Sequence, residues 1–163
     1  MDKTRNMTPN LTPNITPDTI EKSIDIGASA QRVYDLVSRP GWWINEGSIT
    51  ENLVSAEGDV TTVTHPKYGS FRIQTVEQDP PRYVAFRWLG GDTELEGEGG
   101  APKNLVEFWV EERPGGVSLR VKESGFQALS PDEEVRRRNY EANLQGWDQE
   151  LEAARAYVEG AAA

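Results

Sequence analysis

The sequence predicts an α+β domain in which a curved antiparallel sheet is wrapped around one long C-terminal helix. Three observations predict this fold class. A short helical segment follows the first strand, alternating apolar residues recur from about residue 50 to 125, and an amphipathic pattern fills the end of the chain. Short connections between the alternating runs favour an antiparallel meander. The final helix has no partner helix of similar length, so it must bury its apolar stripe against the sheet.

The N-terminal segment carries a small repeat, MTPN, LTPN and ITPD, with a proline at every fourth position. Proline blocks helix formation, and the segment is too polar to collapse. We therefore expect a disordered tail over residues 1–18 and a single folded domain over residues 19–160.

The folded part begins with a half-buried strand at residues 19–26, TIEKSIDI. Ser29 is placed to cap a helix with the sequence AQRVYDLVS, whose apolar residues recur at helical spacing. Pro40 ends that helix, because the residue before a proline avoids the helical region.

Two adjacent tryptophans, Trp42 and Trp43, follow in the stretch RPGWWINEG. Neighbouring side chains of an extended chain point in different directions, so we do not expect one core to bury both indoles. Two interpretations remain open. One indole packs while the other lies on the surface, or the pair lines the mouth of a binding site.

Five strands are predicted after the tryptophan pair, at residues 59–65, 69–78, 82–90, 103–112 and 117–126. Their alternation predicts an inward face formed by Phe71, Ile73, Phe86, Trp88, Phe108, Val110, Leu119 and Val121. Arg87 and Trp109 have the opposite parity and are expected on the outer face. Glu123 shares the inward parity, but we expect the strand to have reached solvent there. The glycine-rich acidic segment at residues 90–102 is expected to be a mobile loop.

The C-terminal helix has a clear start signal. Ser130 is the predicted N-cap, followed by Pro131 at the first helical position and Glu133 at the third, which together form a capping box. Apolar residues then recur at three- and four-residue spacing up to Val158, and Gly160 is the predicted stop.

Composition excludes several classes of site. The formal charge of −10, from 27 acidic and 17 basic residues, would repel a phosphate backbone and makes nucleic acid a poor partner. With no cysteine and a single histidine, His65, a zinc centre is not expected. We expect His65 to be solvated at a strand end, without an acid partner.

No apolar run approaches the length of a membrane span, and the N-terminus lacks the apolar core of a secretory signal. The expected location is the cytoplasm, and no membrane partner is expected.

Four segments together resemble a known family: GASAQRVYDLVSRPGWW, YGSFRIQTVEQDPPRYVAFRW, NLVEFWVEERPGGVSLRVKESGF and NLQGWDQELEAARAYV. They resemble the START-like helix-grip (SRPBCC) superfamily, and within it the domain named after the activator of Hsp90 ATPase. The resemblance covers about residues 19–159 and implies a ligand space between the sheet and the last helix.

The tryptophan pair and Gly146-Trp147 are also similar to the enediyne self-sacrifice resistance proteins. That resemblance implies that the cavity binds a reactive antibiotic. The diradical formed from the antibiotic abstracts hydrogen from the protein, and the chain is cleaved.

The predicted function is binding of a small apolar or aromatic ligand, such as a polyketide-type natural product, between the sheet and the C-terminal helix. The alternatives are self-resistance to an enediyne, by sequestration or sacrificial cleavage, a chaperone-interacting domain and a cyclase-like enzyme. An enzyme is less favoured because the sequence offers no acid–base pair or metal site. No cofactor is expected, and the protein is expected to be a monomer or weak dimer. The predicted ligand-binding residues are Trp42, Trp43, Phe71, Ile73, Phe86, Trp88, Phe108, Val110, Tyr140, Asn143 and Trp147.

Overall fold

A computed structural model describes residues 15–91 and 104–161 of the chain. Its seven antiparallel strands are β1 (Thr19–Ile26), β2 (Leu53–Glu57), β3 (Val60–His65), β4 (Gly69–Asp79), β5 (Tyr83–Gly91), β6 (Leu105–Arg113) and β7 (Gly116–Ser124). The strands form one sheet in the order β1-β7-β6-β5-β4-β3-β2. Helix α1 (Ala30–Val37) connects β1 to the rest of the sheet, and helix α2 (Glu133–Ala161) ends the described chain. The architecture is therefore the predicted α+β meander with a long C-terminal helix.

Two predicted segments fall partly or wholly outside the described residues: the repeat up to residue 14 and the acidic loop from residue 92 onward. The end of the predicted tail is described, and it packs against the domain. Thr16 is buried, and its Oγ1 donates a hydrogen bond to Glu133 Oε2 at 2.6 Å. The carbonyl oxygen of Asp18 accepts from the backbone N–H groups of Gly125 and Phe126, just after β7.

The core lies between the concave face of the sheet and the two helices. In β6 the residues alternate between half-buried and buried, so Phe108 and Val110 face the core, paired with Val121 and Leu119 of β7. Trp109 lies on the other face, with the Arg120 guanidinium 4.0 Å from its ring centroid. This alternation is the period of two that the sequence shows.

Helix α2 begins at Glu133, three residues after the predicted cap, so the prediction for Ser130 is wrong. Asp132 Oδ1 accepts from the backbone N–H of Glu134 at 2.8 Å, as an N-cap side chain does. Ser130 Oγ instead accepts from the backbone N–H of Asp132 at 3.1 Å, in the turn before the helix. The helix also continues through Gly160, which therefore is not its stop.

Neither described helix is long and apolar enough to cross a membrane.

Candidate functional site

The loop after α1 places both adjacent tryptophans inside the molecule. Gly41 adopts a positive φ of 75°, and a Cβ there would lie 2.9 Å from Val63 Cγ2, so only glycine fits this tight turn against β3. The turn breaks the alternation of an extended chain. Trp42 is only 3% exposed, Trp43 is half-buried, and their rings meet edge to face with centroids 6.0 Å apart. The core therefore buries Trp42 almost completely and Trp43 only in part.

Trp43 lies at the centre of an aromatic cluster. Its ring centroid is 5.6 Å from Phe86, 5.8 Å from Trp88, 5.7 Å from Phe108 and 5.8 Å from Trp147. The cluster joins the loop, two strands of the sheet and α2. The indole N–H groups of Trp42 and Trp43 are buried with no acceptor among the described residues.

Glu123 lies beside this cluster, buried to 2% exposure near the end of β7. Trp147 Nε1 donates to its Oε1 at 2.8 Å, Asn143 Nδ2 lies 3.1 Å from both oxygens, and Asn104 Nδ2 donates to Oε2 at 3.0 Å. Burial raises the pKa of the Glu123 carboxyl, and these three donors oppose that shift. The expectation that the strand has reached solvent at Glu123 is wrong, because β7 is still paired on both sides there and donors from α2 cover it.

Glu150 lies one turn further along α2 and is 8% exposed. Its Oε1 accepts from Asn45 Nδ2 at 2.8 Å, which links the helix to the loop that carries the tryptophan pair. Its Oε2 has no hydrogen-bond partner among the described residues. Burial raises the pKa of Glu150 to about 7, and the bond from Asn45 opposes that rise.

These groups surround a cavity of about 180 Å³ between the sheet and α2, which we call the indole cavity. Asn143, Trp147 and Glu150 lie at three- and four-residue spacing, so one face of the helix supplies them. The residues that line it are Trp43, Trp88, Glu123, Asn143, Gly146, Trp147 and Glu150. Four of these are among the predicted ligand-binding residues.

Sequence reasoning missed Glu123, Gly146 and Glu150 as lining residues. Glu123 was placed in solvent, although its inward parity was the correct signal. Gly146 and Glu150 share the helical spacing of Asn143 and Trp147, which would have indicated them. A Cβ built on Gly146 would meet no atom within 4 Å, so the glycine leaves room at the helix surface.

The other predicted site residues lie away from the lining of this cavity. Trp42, Ile73, Phe86 and Phe108 are buried in the core, and Phe71 packs edge to face on Trp88 with centroids 5.5 Å apart. Tyr140 packs against Phe126, with centroids 5.2 Å apart. Val110 lines a different cavity.

That second cavity is larger, about 570 Å³, and is a poorer candidate. Outward-facing residues such as Trp109 and Arg120 line it, together with the turn at Arg82. Its guanidinium groups are already engaged, Arg120 with Glu21 at 2.9 Å and Arg82 with Asp79 at 3.2 Å. The indole cavity is smaller, but its polar groups are buried and fixed in place, which is typical of a specific binding site.

His65 is buried at the end of β3, so the expectation of a solvated side chain is wrong. Its Nδ1 accepts from the backbone N–H groups of Lys67 at 3.0 Å and Tyr68 at 3.3 Å, and its ring stacks on Tyr68. The histidine therefore stabilises the turn to β4 and does not line the indole cavity. Among the described residues, no group of three or more potential ligands could hold a metal ion.

No family model and no curated protein sequence matches the chain. Several solved structures do share its fold. The protein MLL2253 from Mesorhizobium loti superposes with a TM-score of 0.65 at 18% identity, over 86% of this chain and 96% of that one. The Aha1 dimer from Colwellia psychrerythraea gives 0.62 at 17% identity, over 86% and 96% of the two chains.

A third structure is DynU16, a protein of the dynemicin biosynthetic locus, with a TM-score of 0.62 at 20% identity. It is matched over 88% of this chain, which spans about half of DynU16, 48% of its length. These likenesses show the fold: the chain has the START-like helix-grip fold that its sequence segments predict.

Proposed function

From this helix-grip fold we propose that the protein binds a small apolar or aromatic molecule in the indole cavity. One observation carries the proposal: three indoles, from the loop, the sheet and α2, line a cavity that opens between the sheet and the helix. Concave sites with mostly aromatic walls and a few fixed polar groups are the usual form of small-molecule sites. The hydrogen-bonded Asn143 and Glu123 supply those fixed groups here.

The size of the cavity restricts what it holds. A volume of about 180 Å³ is below the range of roughly 300–1,000 Å³ typical of sites for drug-sized molecules. At about 30 Å³ for each water-sized group, this volume holds roughly six such groups. The cavity therefore takes one ring or head group, and the rest of a larger ligand lies outside it.

The hydrogen bonds at Glu123 favour binding over catalysis. Both of its oxygens accept from N–H donors, so the carboxyl is held as part of the wall. A general base needs an oxygen that can reach a proton of the substrate. Glu123 offers none without losing a buried hydrogen bond, which supports a binding role for this group.

Self-resistance to an enediyne is a second candidate, favoured by the likeness to DynU16 and by the indoles on which a polyketide could stack. In this function each radical centre of the bound diradical takes a hydrogen atom from a C–H bond of the cavity wall, and the carbon radical left on the backbone reacts with dissolved dioxygen, which breaks the chain there. Mass spectrometry after activation of a bound enediyne tests it. Fragments ending at a lining residue would support the sacrifice, and an intact chain after complete activation would exclude it.

The proposed binding is tested by a ¹H–¹⁵N NMR titration with benzyl alcohol, a neutral aromatic probe small enough for the cavity. We expect the indole N–H signals of Trp43, Trp88 and Trp147 to shift, while Trp109 on the outer face stays unchanged. Unchanged signals at all three lining indoles would contradict the proposal.

A matched pair of variants shows whether those shifts come from the indole cavity. Gly146→Leu fills the open space at the helix surface and should abolish the shifts. Gly160→Leu makes the same change on the exposed end of the same helix and should preserve them, because a Cβ there also meets no atom within 4 Å. Equal binding by both variants would place the ligand elsewhere.

A further inference from the structure

The charges around the indole cavity carry information about the ligand beyond its shape. Two of the seven lining residues that the structure describes are acidic, Glu123 and Glu150, and none of the seven is basic. Both residues are more than nine-tenths buried, although the Glu150 carboxyl keeps some contact with water. A buried carboxylate without a positive partner is costly, because the protein interior solvates it less well than water does.

The two carboxyls differ in the number of hydrogen bonds that they accept. Glu123 receives three N–H donors, so its negative charge is spread over fixed hydrogen bonds within the wall. Glu150 receives one, from Asn45, and its Oε2 has no partner among the described residues. The cavity therefore contains one carboxylate oxygen able to accept a hydrogen bond or an ion pair from a ligand.

The indoles favour the same kind of ligand. The face of a tryptophan ring carries negative electrostatic potential and attracts cations more strongly than the other aromatic side chains do. Here Trp43, Trp88 and Trp147 line the cavity together with the two carboxyls. Aromatic rings combined with carboxyl groups are the chemistry by which proteins recognise ammonium groups.

We propose that the ligand of the indole cavity is an organic cation, an amine or quaternary ammonium whose charged nitrogen lies among Trp43, Trp88 and Trp147 and faces Glu150. This inference rests on the proposed function and narrows its ligand to a molecule whose apolar or aromatic body carries a positively charged nitrogen. The volume of about 180 Å³ suits a compact ammonium head group. The formal charge of −10 also raises the local concentration of cations around the protein.

A neutral ligand fits these observations less well. An apolar molecule would remove water from Glu150 without offering the carboxyl a partner, which weakens binding. A cation compensates the carboxylate and contacts the lining indoles at the same time. An anion would meet two carboxyls and no basic residue in the described part of the wall.

The experiment compares choline with 3,3-dimethylbutan-1-ol, which has the same shape and hydroxyl group but carbon in place of the charged nitrogen. Both are titrated into the full chain at pH 8 and followed through the indole N–H signals. We expect choline to bind at least about tenfold more tightly, as expected for one cation–π contact together with one ion pair. Equal or weaker binding of choline overturns the inference.

Variants then identify the group responsible. Glu150→Gln should weaken choline binding by about tenfold and change the affinity for 3,3-dimethylbutan-1-ol less than twofold. Glu141→Gln is the matched control, because it removes the same charge from an exposed position on the same helix. Equal losses in the two variants would assign the effect to the overall charge and overturn the inference.

Failure of the inference differs from failure of the proposed function. If benzyl alcohol or 3,3-dimethylbutan-1-ol shifts the lining indoles but choline shows no preference, the cavity binds ligands without selecting a cation. If none of the three probes shifts them, the binding function itself is contradicted.

Discussion

The two buried carboxyls of the indole cavity have different roles because their partners differ. Glu123 is held by two donors from α2 and by Asn104, so changing its protonation would disturb several hydrogen bonds at once. Among the described residues Glu150 accepts a hydrogen bond only from Asn45, and it lines the same cavity. We therefore expect pH, and the proposed ligand, to act on this site through Glu150.

Glu150 should make the protein less stable as the pH rises. Burial raises its pKa from 4.5 to about 7, so between these values the folded protein holds a proton that the unfolded chain has released. The free energy of unfolding therefore falls from about pH 4.5 to 7, and the loss persists above pH 7. Because the carboxyl keeps some contact with water, we expect this group to contribute about 1–2 kcal/mol.

Urea denaturation at pH 5 and pH 8 measures that contribution. Glu150→Gln should gain about 1–2 kcal/mol relative to the wild type on going from pH 5 to pH 8, since its amide does not titrate. Glu141→Gln should follow the wild type at both values. A Glu150→Gln variant that also follows the wild type would show that this carboxyl has an ordinary pKa.

Residue by residue, the sequence predicted apolar positions better than polar ones. The parity of Phe86 and Phe108 was enough to place them in the core, since a strand alternates regardless of its partners. The burial of Glu123 and His65 depends on partners that come from elsewhere, such as Asn104 and the backbone N–H of Lys67. No pattern within one strand predicts such partners.

At the level of elements, prediction succeeded where apolar and polar residues alternate, or recur at helical spacing, along the sequence. The strands β3 to β7 and the helix α2 were all expected close to their observed bounds. Strand β2 (Leu53–Glu57) was not predicted individually, because it lies at the sheet edge with every residue exposed and so shows no inward face. The start of α2 was misplaced by two residues, because both Ser130 and Asp132 are good capping residues and only the Asp132 side chain bonds to the first turn.

Gly146 lowers the stability of α2 and leaves open space beside the helix in the indole cavity. Glycine inside a helix costs about 0.5–1 kcal/mol relative to alanine, and a Cβ at this position would touch nothing within 4 Å. We predict that Gly146→Ala raises the free energy of unfolding by about 0.5–1 kcal/mol and weakens benzyl alcohol binding severalfold. Thermal denaturation and the NMR titration measure the two effects.

Gly160→Ala is the control, since it lies near the end of the same helix and outside the indole cavity. It should gain less stability, because helix ends fray, and should leave the affinity unchanged. A loss of stability in Gly146→Ala would mean that the wall of the cavity is closer to the helix than the structure places it.

At the scale of the whole molecule, hydrogen bonds and an ion pair hold α2 against β1 and the residues that flank this strand. Thr16 contacts Glu133, Lys22 contacts Asp148, and Gly27 contacts Glu159. The contacts therefore follow the same order along the N-terminal segment and along the helix. The last of these is a hydrogen bond of 2.8 Å from the backbone N–H of Gly27 to Glu159 Oε2. The helix is thus held at both ends, while the indole cavity lies between its middle and the sheet.

The N-terminal attachment of α2 predicts where the folded domain begins. A chain that starts at residue 19, the predicted domain boundary, lacks Thr16 and Asp18. It therefore loses the bond to Glu133, two bonds from Gln127 and the two that the Asp18 carbonyl accepts. Each of these hydrogen bonds contributes about 0.5–1.5 kcal/mol, and bonds to water replace part of that contribution in the shortened chain. We therefore expect the free energy of unfolding to fall by about 2–4 kcal/mol.

A chain that starts at residue 15 keeps all of these bonds, and we expect it to match the full chain in urea denaturation. If the chain that starts at residue 19 were equally stable, the contacts of Thr16 and Asp18 would contribute nothing to holding α2. If the chain that starts at residue 15 were also destabilised, the TPN repeats would themselves stabilise the domain. The comparison therefore decides whether the domain begins at the first strand or at the segment that anchors the helix over the indole cavity.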